Sequence, residues 1–385
     1  MTLLVQCARP VPDPARVREA ASAVADWDAE IEQATRHGMA PLLYWGVSQA
    51  CPEVVAPAAL DCLRTCFRAS AGRSLQLTGE LLNLLPLFER AGIQVVAFKG
   101  PALAWSLYDS PALREMSDLD LLVHPSDAPR AVDLLVASGC QPAYTVDRRF
   151  FRSGRELPLT SPTGVALDLH WALAPSYFCH GLDMDGIWTR LASVQVAGRA
   201  VPTLGNEDLL IFLCIHGAKH AWCSLHWLSD LARLIDRAAI DWDSLIARVH
   251  ARRVSRMVFA SLLLAVDLLR AGVPAGIIAK ARAHPAAAGI LEKLRQRLLA
   301  DMPIPVTMRE ELGYQLRLLE RTPDKLRFCW GQLAPAPSDY ESLRLPAPLF
   351  PLYYALRPLR LIAKYSALAA RRVWASTLGH IAPPQ

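Results

Sequence analysis

Charged runs and low-complexity segments are absent from the 385 residues, which argues against a disordered chain. No stretch of roughly 20 apolar residues is free of charge, so a transmembrane helix is not expected. The nine cysteines are odd in number and none has finger-like spacing, which disfavours a zinc-ribbon or disulfide framework. Cys62 and Cys66 stand one helical turn apart and Cys214 sits in an apolar helix. The opening MTLLVQCARPVPDPARVREA has no basic start before an apolar run, and Pro10, Pro12 and Pro14 interrupt it, so it does not read as a secretory signal. The expectation is a cytoplasmic protein whose cysteines are reduced and behave as small buried hydrophobes. A basic stripe is also missing, and the net charge is only +5. A template nucleic acid is therefore not an expected partner.

Basic residues gather only at the end. After Glu341 no acidic residue occurs, while Arg344, Arg357, Arg360, Lys364, Arg371 and Arg372 remain. Phe350, Leu352, Tyr353, Tyr354, Leu356 and Ile362 lie among them. This tail can be read as a peripheral membrane contact. The favoured reading is docking on the protein itself.

With 52% hydrophobic residues the chain can bury two or three cores. Apolar spacing of three and four predicts helices over residues 17–31, 40–49 and 57–88, with Gly92 as a stop. The pattern then changes. IQVVAF at 93–98 reads as a buried strand closed by Lys99-Gly100-Pro101, and Pro101 suits the first turn of a helix over 102–108. DLDLLV at 118–123 is a second strand, 126–138 a helix and 140–146 a third strand. Residues 157–160 and 165–171 read as a hairpin turned at SPTG. From Asn206 helices return, over 206–222, 225–237, 242–251 and 254–270. The expected class is α+β in four segments: a helical N-terminal region (1–92), an α/β sheet domain (93–204), a helical C-terminal domain (205–340) and a basic tail (341–385).

The chemistry concentrates in FKGPALAWSLYDSPALREMSDLDLLV, residues 98–123. Alternate residues of a strand share a face, so Asp118 and Asp120 project together while Leu119 and Leu121 point away. Two neighbouring carboxylates repel unless a cation lies between them, and hard cations such as Mg²⁺ prefer oxygen ligands. A strand ending in Lys99-Gly100 and followed at once by a helix aims backbone N–H groups and a positive charge at one spot, which suits phosphate. Asp168 in VALDLHW adds a third acid on a strand, with His170 on its face. Metal, clamped phosphates and an aligned nucleophile are what phosphoryl chemistry requires. Read blandly, the acids belong to a solvated edge strand and Lys99-Gly100 to an ordinary turn. The coincidence of all of them favours the functional reading.

This arrangement resembles the nucleotidyltransferase superfamily of DNA polymerase β type: a Gly-containing strand-to-helix turn, an Asp-x-Asp strand and a third Asp on a later strand. More narrowly it is similar to a bacterial group of uncharacterised nucleotidyltransferases carrying LKG…LY…R-x-x-x-D-x-D-L-L-V. That group also has an hDhHW strand, matched at residues 167–171, and HG-x-KH-x-W…W-L-x-D-L-A, matched by His216, Gly217, Lys219, His220, Trp222 and residues 227–232. The resemblance covers roughly residues 25–250. The wider superfamily has Gly-Ser at the turn, whereas here Gly100 precedes Pro101 and follows Lys99, the form of the narrower group.

The resemblance implies a polymerase-β-like sheet domain flanked by helical regions, transferring a nucleoside monophosphate from a triphosphate, with ATP the expected nucleotide, to an acceptor. Asp118, Asp120 and Asp168 would be catalytic and hold the metal, Mg²⁺ with Mn²⁺ as the alternative. Lys99, Gly100 and Arg114 would be nucleotide-binding. Arg114 has a second reading as a salt-bridge partner of the neighbours of Glu115. His170 either orients Asp168 or a substrate, or is a satisfied polar residue of a half-buried strand. His216 and His220, four apart on a helix, have zinc-like spacing without a third ligand; a structural or substrate-facing place is expected. A small molecule or natural product is the favoured acceptor. The alternatives are a protein-modifying or antitoxin-type enzyme and a non-catalytic nucleotide-binding module.

Overall fold

A computed structural model of the chain describes residues 1–144, 150–174, 184–300 and 307–333, with short pieces at 352–353, 356–357 and 360. Two compact units divide it, residues 1–304 and 305–385. In the first, a mixed sheet is flanked by helices on both sides in sequence, the α+β arrangement expected. Its strands are β1 (Val95–Ala97), β2 (Asp118–Val123), β3 (Gln141–Pro142), β4 (Glu156–Thr160) and β5 (Ala166–His170), ordered β1-β2-β5-β4-β3. The β2–β5 pairing is parallel and the others are antiparallel.

Strict alternation gives this sheet two unlike faces. Leu119, Leu121 and Val123 of β2, Leu157 and Leu159 of β4, and Leu167 and Leu169 of β5 share one core. They pack with Leu77, Leu81, Leu84, Leu85 and Phe88 of the Pro57–Arg90 helix and with Ala131, Val132 and Leu135 of the Ala128–Ala137 helix. The intervening residues, which include all the acids of interest, face the other way. The long helix also holds the loops of the sheet. Ser70 Oγ donates to the Ala112 carbonyl at 3.0 Å, Arg73 reaches the Ser117 carbonyl just before β2, and Thr163 of the β4–β5 turn donates to Glu80 at 2.6 Å.

Several boundaries moved for local reasons. The helix expected over 17–31 is two, Pro14–Ser22 and Trp27–Arg36, because Asp26 caps the second through the Asp28 and Ala29 amides. A short helix, Thr2–Ala8, precedes the prolines. Gly92 does end the long helix, at φ +64°. The strand expected over 140–146 is reduced to β3, and residues 145 and 146 fall outside the described residues. A hairpin the sequence reading missed, β6 (Ala192–Val196) and β7 (Arg199–Thr203), turns at Ala197 and Gly198, both at positive φ.

C-terminal to the sheet, the helices Asn206–Lys219, Leu225–Arg237, Trp242–Ala251 and Ser255–Leu269 appear where the pattern placed them. Among the described residues no helix is long and apolar enough to cross a membrane, and the described cysteines are free thiols. The second unit contains Met308–Leu318, opened by a capping box between Thr307 and Glu310, and Thr322–Leu333. Of the basic tail, Arg357 donates to the Gln332 carbonyl at 2.9 Å; Arg344, Lys364, Arg371 and Arg372 lie outside the described residues, and with them most of the membrane-contact expectation.

One buried imidazole makes the fold acid-sensitive. His37 is 3% exposed and neither ring nitrogen has a hydrogen-bond partner. Its carbonyl accepts from Ser224 Oγ and the His226 amide, joining the N-terminal helices to Leu225–Arg237. Burial lowers the His37 pKa to about 4. The folded value lies below the unfolded one, so the unfolded chain binds the extra proton first. The His37 contribution to stability is full above pH 6.5 and is lost as pH descends toward 4, by about 1.4 kcal/mol for each unit of downshift. Urea unfolding across this range should show a shallower acid limb for His37→Leu than for the wild type; superimposable limbs would remove His37 from the effect.

Candidate active site

The polar face of the sheet is built by register. Parallel pairing sets Asp120 beside Asp168 and Leu122 beside His170, while Asp118 pairs with Ala166. On the other side of β5, Glu156 pairs with His170 and Pro158 with Asp168. Neighbouring strands are ~4.8 Å apart, but same-face residues along one strand are separated by ~6.6 Å. Asp120 and Asp168 are therefore close neighbours, and Asp118 stands one pleat further along.

Cations surround the most buried acid of this face. Asp120 is 2% exposed; Lys99 Nζ lies 2.7 Å and His170 Nε2 3.0 Å from its Oδ1. Burial alone would raise the Asp120 pKa, yet Lys99 and His170 outweigh it and hold the carboxyl well below the usual range. His170 is gripped at both ends, with Nδ1 3.2 Å from Glu156 Oε2. Burial opposes the imidazolium, but the two carboxylates prevail and its pKa is raised. Asp118 and Asp168 move the other way: burial, then the charge of Asp120, pushes both upward.

Gly100 links the cation-bearing turn to this face. Its φ of +53° and ψ of −127° suit glycine, and a Cβ there would lie 3.1 Å from the Asp118 carbonyl oxygen. The turn thus runs directly against the start of β2, and Lys99 reaches Asp120 from it.

An aromatic row leads away from the acids. His170 packs edge-on against Phe98 and Phe98 edge-on against Phe212, while Phe212 and His216 meet at a 34° tilt. His216 lies 4.9 Å from His220 and 5.0 Å from Trp227, ring centre to ring centre. Burial, then Lys99 for His216 and Lys219 for His220, lowers both pKa values, so both imidazoles are neutral at pH 7. His216 and His220 thus stand beside the acid site and stack with aromatics. A separate cavity of about 470 Å³ lies among the N-terminal helices, bordered by Met1, Asp26, Glu30 and Arg36, and no acid-site residue lines it.

Arg114 requires a correction. Rather than being left open for phosphate, its guanidinium is 6% exposed and forks onto Asp230, with Nε 3.0 Å from Oδ1 and Nη2 2.9 Å from Oδ2. Tyr108 Oη donates to the same Asp230 at 2.7 Å, and Arg233 stacks over the Tyr108 ring. Arg233 and Ser229 then bind the Arg9 and Ala8 carbonyls. A buried carboxylate needs a buried partner, and Asp230 is 1% exposed. Arg114 does form a salt bridge, but with a partner 116 positions along the chain and not among the neighbours of Glu115.

One contributor escaped the sequence reading. Glu156 was left outside a strand expected to begin at Leu157. The turn at SPTG contained the signal, since counting back from Thr160 opposite Ala166 places Glu156 opposite His170. Asp230 reads from the sequence as a capping or pairing residue of the helical domain, and its partner, Arg114, needed tertiary structure.

A mixed sheet with an Asp-x-Asp strand, a third Asp on the adjacent strand and a Lys-Gly turn abutting them is the arrangement by which the chain resembles nucleotidyltransferases. A family model described as uncharacterised nucleotidyltransferase matches residues 23–270, and the chain belongs to that family. No curated protein matches it. The family makes the chain a nucleotidyltransferase enzyme with a nucleoside triphosphate substrate.

Nucleotidyltransferases typically use divalent metals, and the donor set here fits one. Three carboxylates share a face, two of them with pKa values raised by burial and the charge of Asp120, and a Lys ammonium already serves Asp120 as counter-cation. Asp120, Asp168 and His170 can each offer a ligand atom within 4.8 Å of the others.

If Arg114 serves Asp230, then Arg114→Met leaves a buried charge unpaired and should cost about 3–5 kcal/mol in denaturant unfolding. Adding Asp230→Leu should recover most of the loss. A phosphate-clamp role predicts instead unchanged stability and weakened triphosphate binding.

Proposed function

We propose that this enzyme moves a nucleoside monophosphate from ATP to a hydroxyl, phosphate or amine of a small-molecule acceptor, with Mg²⁺, or alternatively Mn²⁺, held by Asp118, Asp120 and Asp168. The supporting observation is the convergence of these three acids on one sheet face beside Lys99. A bound divalent cation would polarise the α-phosphate and neutralise charge on the departing oxygens. The acceptor oxygen or nitrogen attacks the α-phosphorus, the bond to the bridging oxygen of the β-phosphate breaks, and pyrophosphate leaves.

Each residue has a defined part. Asp168, whose raised pKa makes it a better base than an ordinary carboxylate, takes the acceptor proton. Lys99 carries a flexible positive charge at the mouth of the turn and is shared between Asp120 and the β- and γ-phosphates. Gly100 lets phosphate approach the backbone. Arg114 acts through position, fastening the segment that leads into β2. His216, edge-on to Trp227, and His220, tilted against it, are neutral and offer hydrogen bonds and aromatic contacts to the acceptor.

Calorimetric titration with ATP, GTP, CTP and UTP, with and without Mg²⁺, tests this. Wild type should bind ATP in a Mg²⁺-dependent manner. Asp120→Asn should fold normally yet lose that dependence, and Lys99→Met should weaken binding tenfold or more. Mg²⁺-dependent binding equal to wild type in Asp120→Asn would remove Asp120 from the site.

A further inference from the structure

We propose that His170 is itself a metal ligand, delivered by Glu156, and that the resulting Asp120–Asp168–His170 set binds Mn²⁺ more tightly than Mg²⁺. The inference rests on the nucleotidyltransferase reading for the presence of a cation, and it changes which residues hold the ion and which ion they select.

Register supplies the first reason. Asp168 is the cross-strand neighbour of Asp120, and His170 is the next residue of β5 on that face, whereas Asp118 is opposite Ala166. Ligand atoms from Asp120, Asp168 and His170 lie within 4.8 Å of one another. By register His170 and Asp118 each stand one pleat from the Asp120–Asp168 pair, on opposite sides of it, and the reach of the imidazole brings its nitrogen into the group with those two acids.

The second reason is the far side of the imidazole. Metal-bound histidine nearly always gives its other ring N–H to a carboxylate or carbonyl, which fixes the ring and makes the ligating nitrogen more basic. Here Glu156 Oε2 stands 3.2 Å from Nδ1, while Nε2 points at Asp120 Oδ1, 3.0 Å away. Phe98, packed at 82° to the ring with centres 5.2 Å apart, limits its rotation. The ring thus presents Nε2 to the acids and Nδ1 to a fixed acceptor. A histidine whose only task was to neutralise Asp120 would not need Glu156, a second carboxylate that is itself paired with Arg155.

The donor set decides the ion. Mg²⁺ favours all-oxygen coordination and retains water, whereas imidazole suits first-row transition ions, of which Mn²⁺ is the one that also keeps a preference for carboxylate oxygen. Two carboxylates and one imidazole should therefore favour Mn²⁺. Asp118, left over at the edge of the group, is free to meet a second cation carried in by the triphosphate.

Pulsed EPR of the full-length protein loaded with Mn²⁺ alone, without nucleotide, reads ligation directly. Wild type should show nitrogen modulation from a coordinated imidazole. His170→Gln should lose it, while Asp118→Asn and His220→Gln should retain it. Glu156→Gln should retain modulation but bind Mn²⁺ about 10–100-fold more weakly. Calorimetry should give wild type at least a tenfold preference for Mn²⁺ over Mg²⁺, narrowed in His170→Gln. The proposal is overturned if Mn²⁺ fails to bind wild type, binds without nitrogen modulation, or keeps the modulation in His170→Gln. Should His170→Gln not fold, the wild-type spectrum and the Glu156→Gln affinity decide. Nitrogen modulation in a protein that binds no triphosphate would uphold this site and count against the nucleotidyl-transfer reading; triphosphate binding without modulation would do the reverse.

Discussion

Two carboxylates side by side in a sheet repel each other, and the parallel pairing of β2 with β5 forces Asp120 and Asp168 into that relation. The opposite face of the same strands is a continuous row of leucines, so a slip of one residue would drive the acids into the core and the leucines into the site. Hydrophobic burial on one side therefore fixes electrostatic tension on the other. Lys99 and His170 answer that tension at Asp120, and Glu156 answers the charge of His170 in turn. What looks like a collection of polar residues is a chain of charge compensations started by one strand pairing.

Away from the acids, a second charged group performs a different task. Asp230, Arg114, Tyr108 and Arg233 join the loop before β2, the Leu225–Arg237 helix and the carbonyls that follow the first helix. Forked arginine geometry supplies direction as well as charge, so this contact sets the orientation of the segments it joins. Arg114 is four residues from Asp118. Its burial connects the placement of the acid-bearing strand to the helices on either side of the sheet in sequence.

Much of this was legible in the sequence where a single local rule dominates. Period-two alternation gave β2, the β4–β5 hairpin and the shared face of Asp118 and Asp120; three-and-four spacing gave the long helix and those after Asn206. The family resemblance agrees with the matched family. Legibility ended where partners are distant. Nothing near Arg114 announces Asp230, and Glu156 lies at a strand end where a charged residue reads as loop. The β6–β7 hairpin was missed because Ala197 occupies a left-handed turn position where glycine or asparagine is the usual signal. Asp26 split a helical pattern because a cap acts through two backbone amides, which apolar spacing does not reveal.

A Cβ at Gly100 would come within 3.1 Å of the Asp118 carbonyl oxygen, so a side chain there would crowd the backbone of the first acid. The turn and the first acid lie close along the backbone, and the distance between them does not depend on a rotamer. They behave as one mechanical part, a rigid gauge that sets the spacing between whatever sits on the turn and whatever sits on the strand. Side chains around the aromatic row can then change, and with them the acceptor that is admitted, without resetting that gauge. A lineage built on this chain could diversify what it modifies while keeping the same donor geometry.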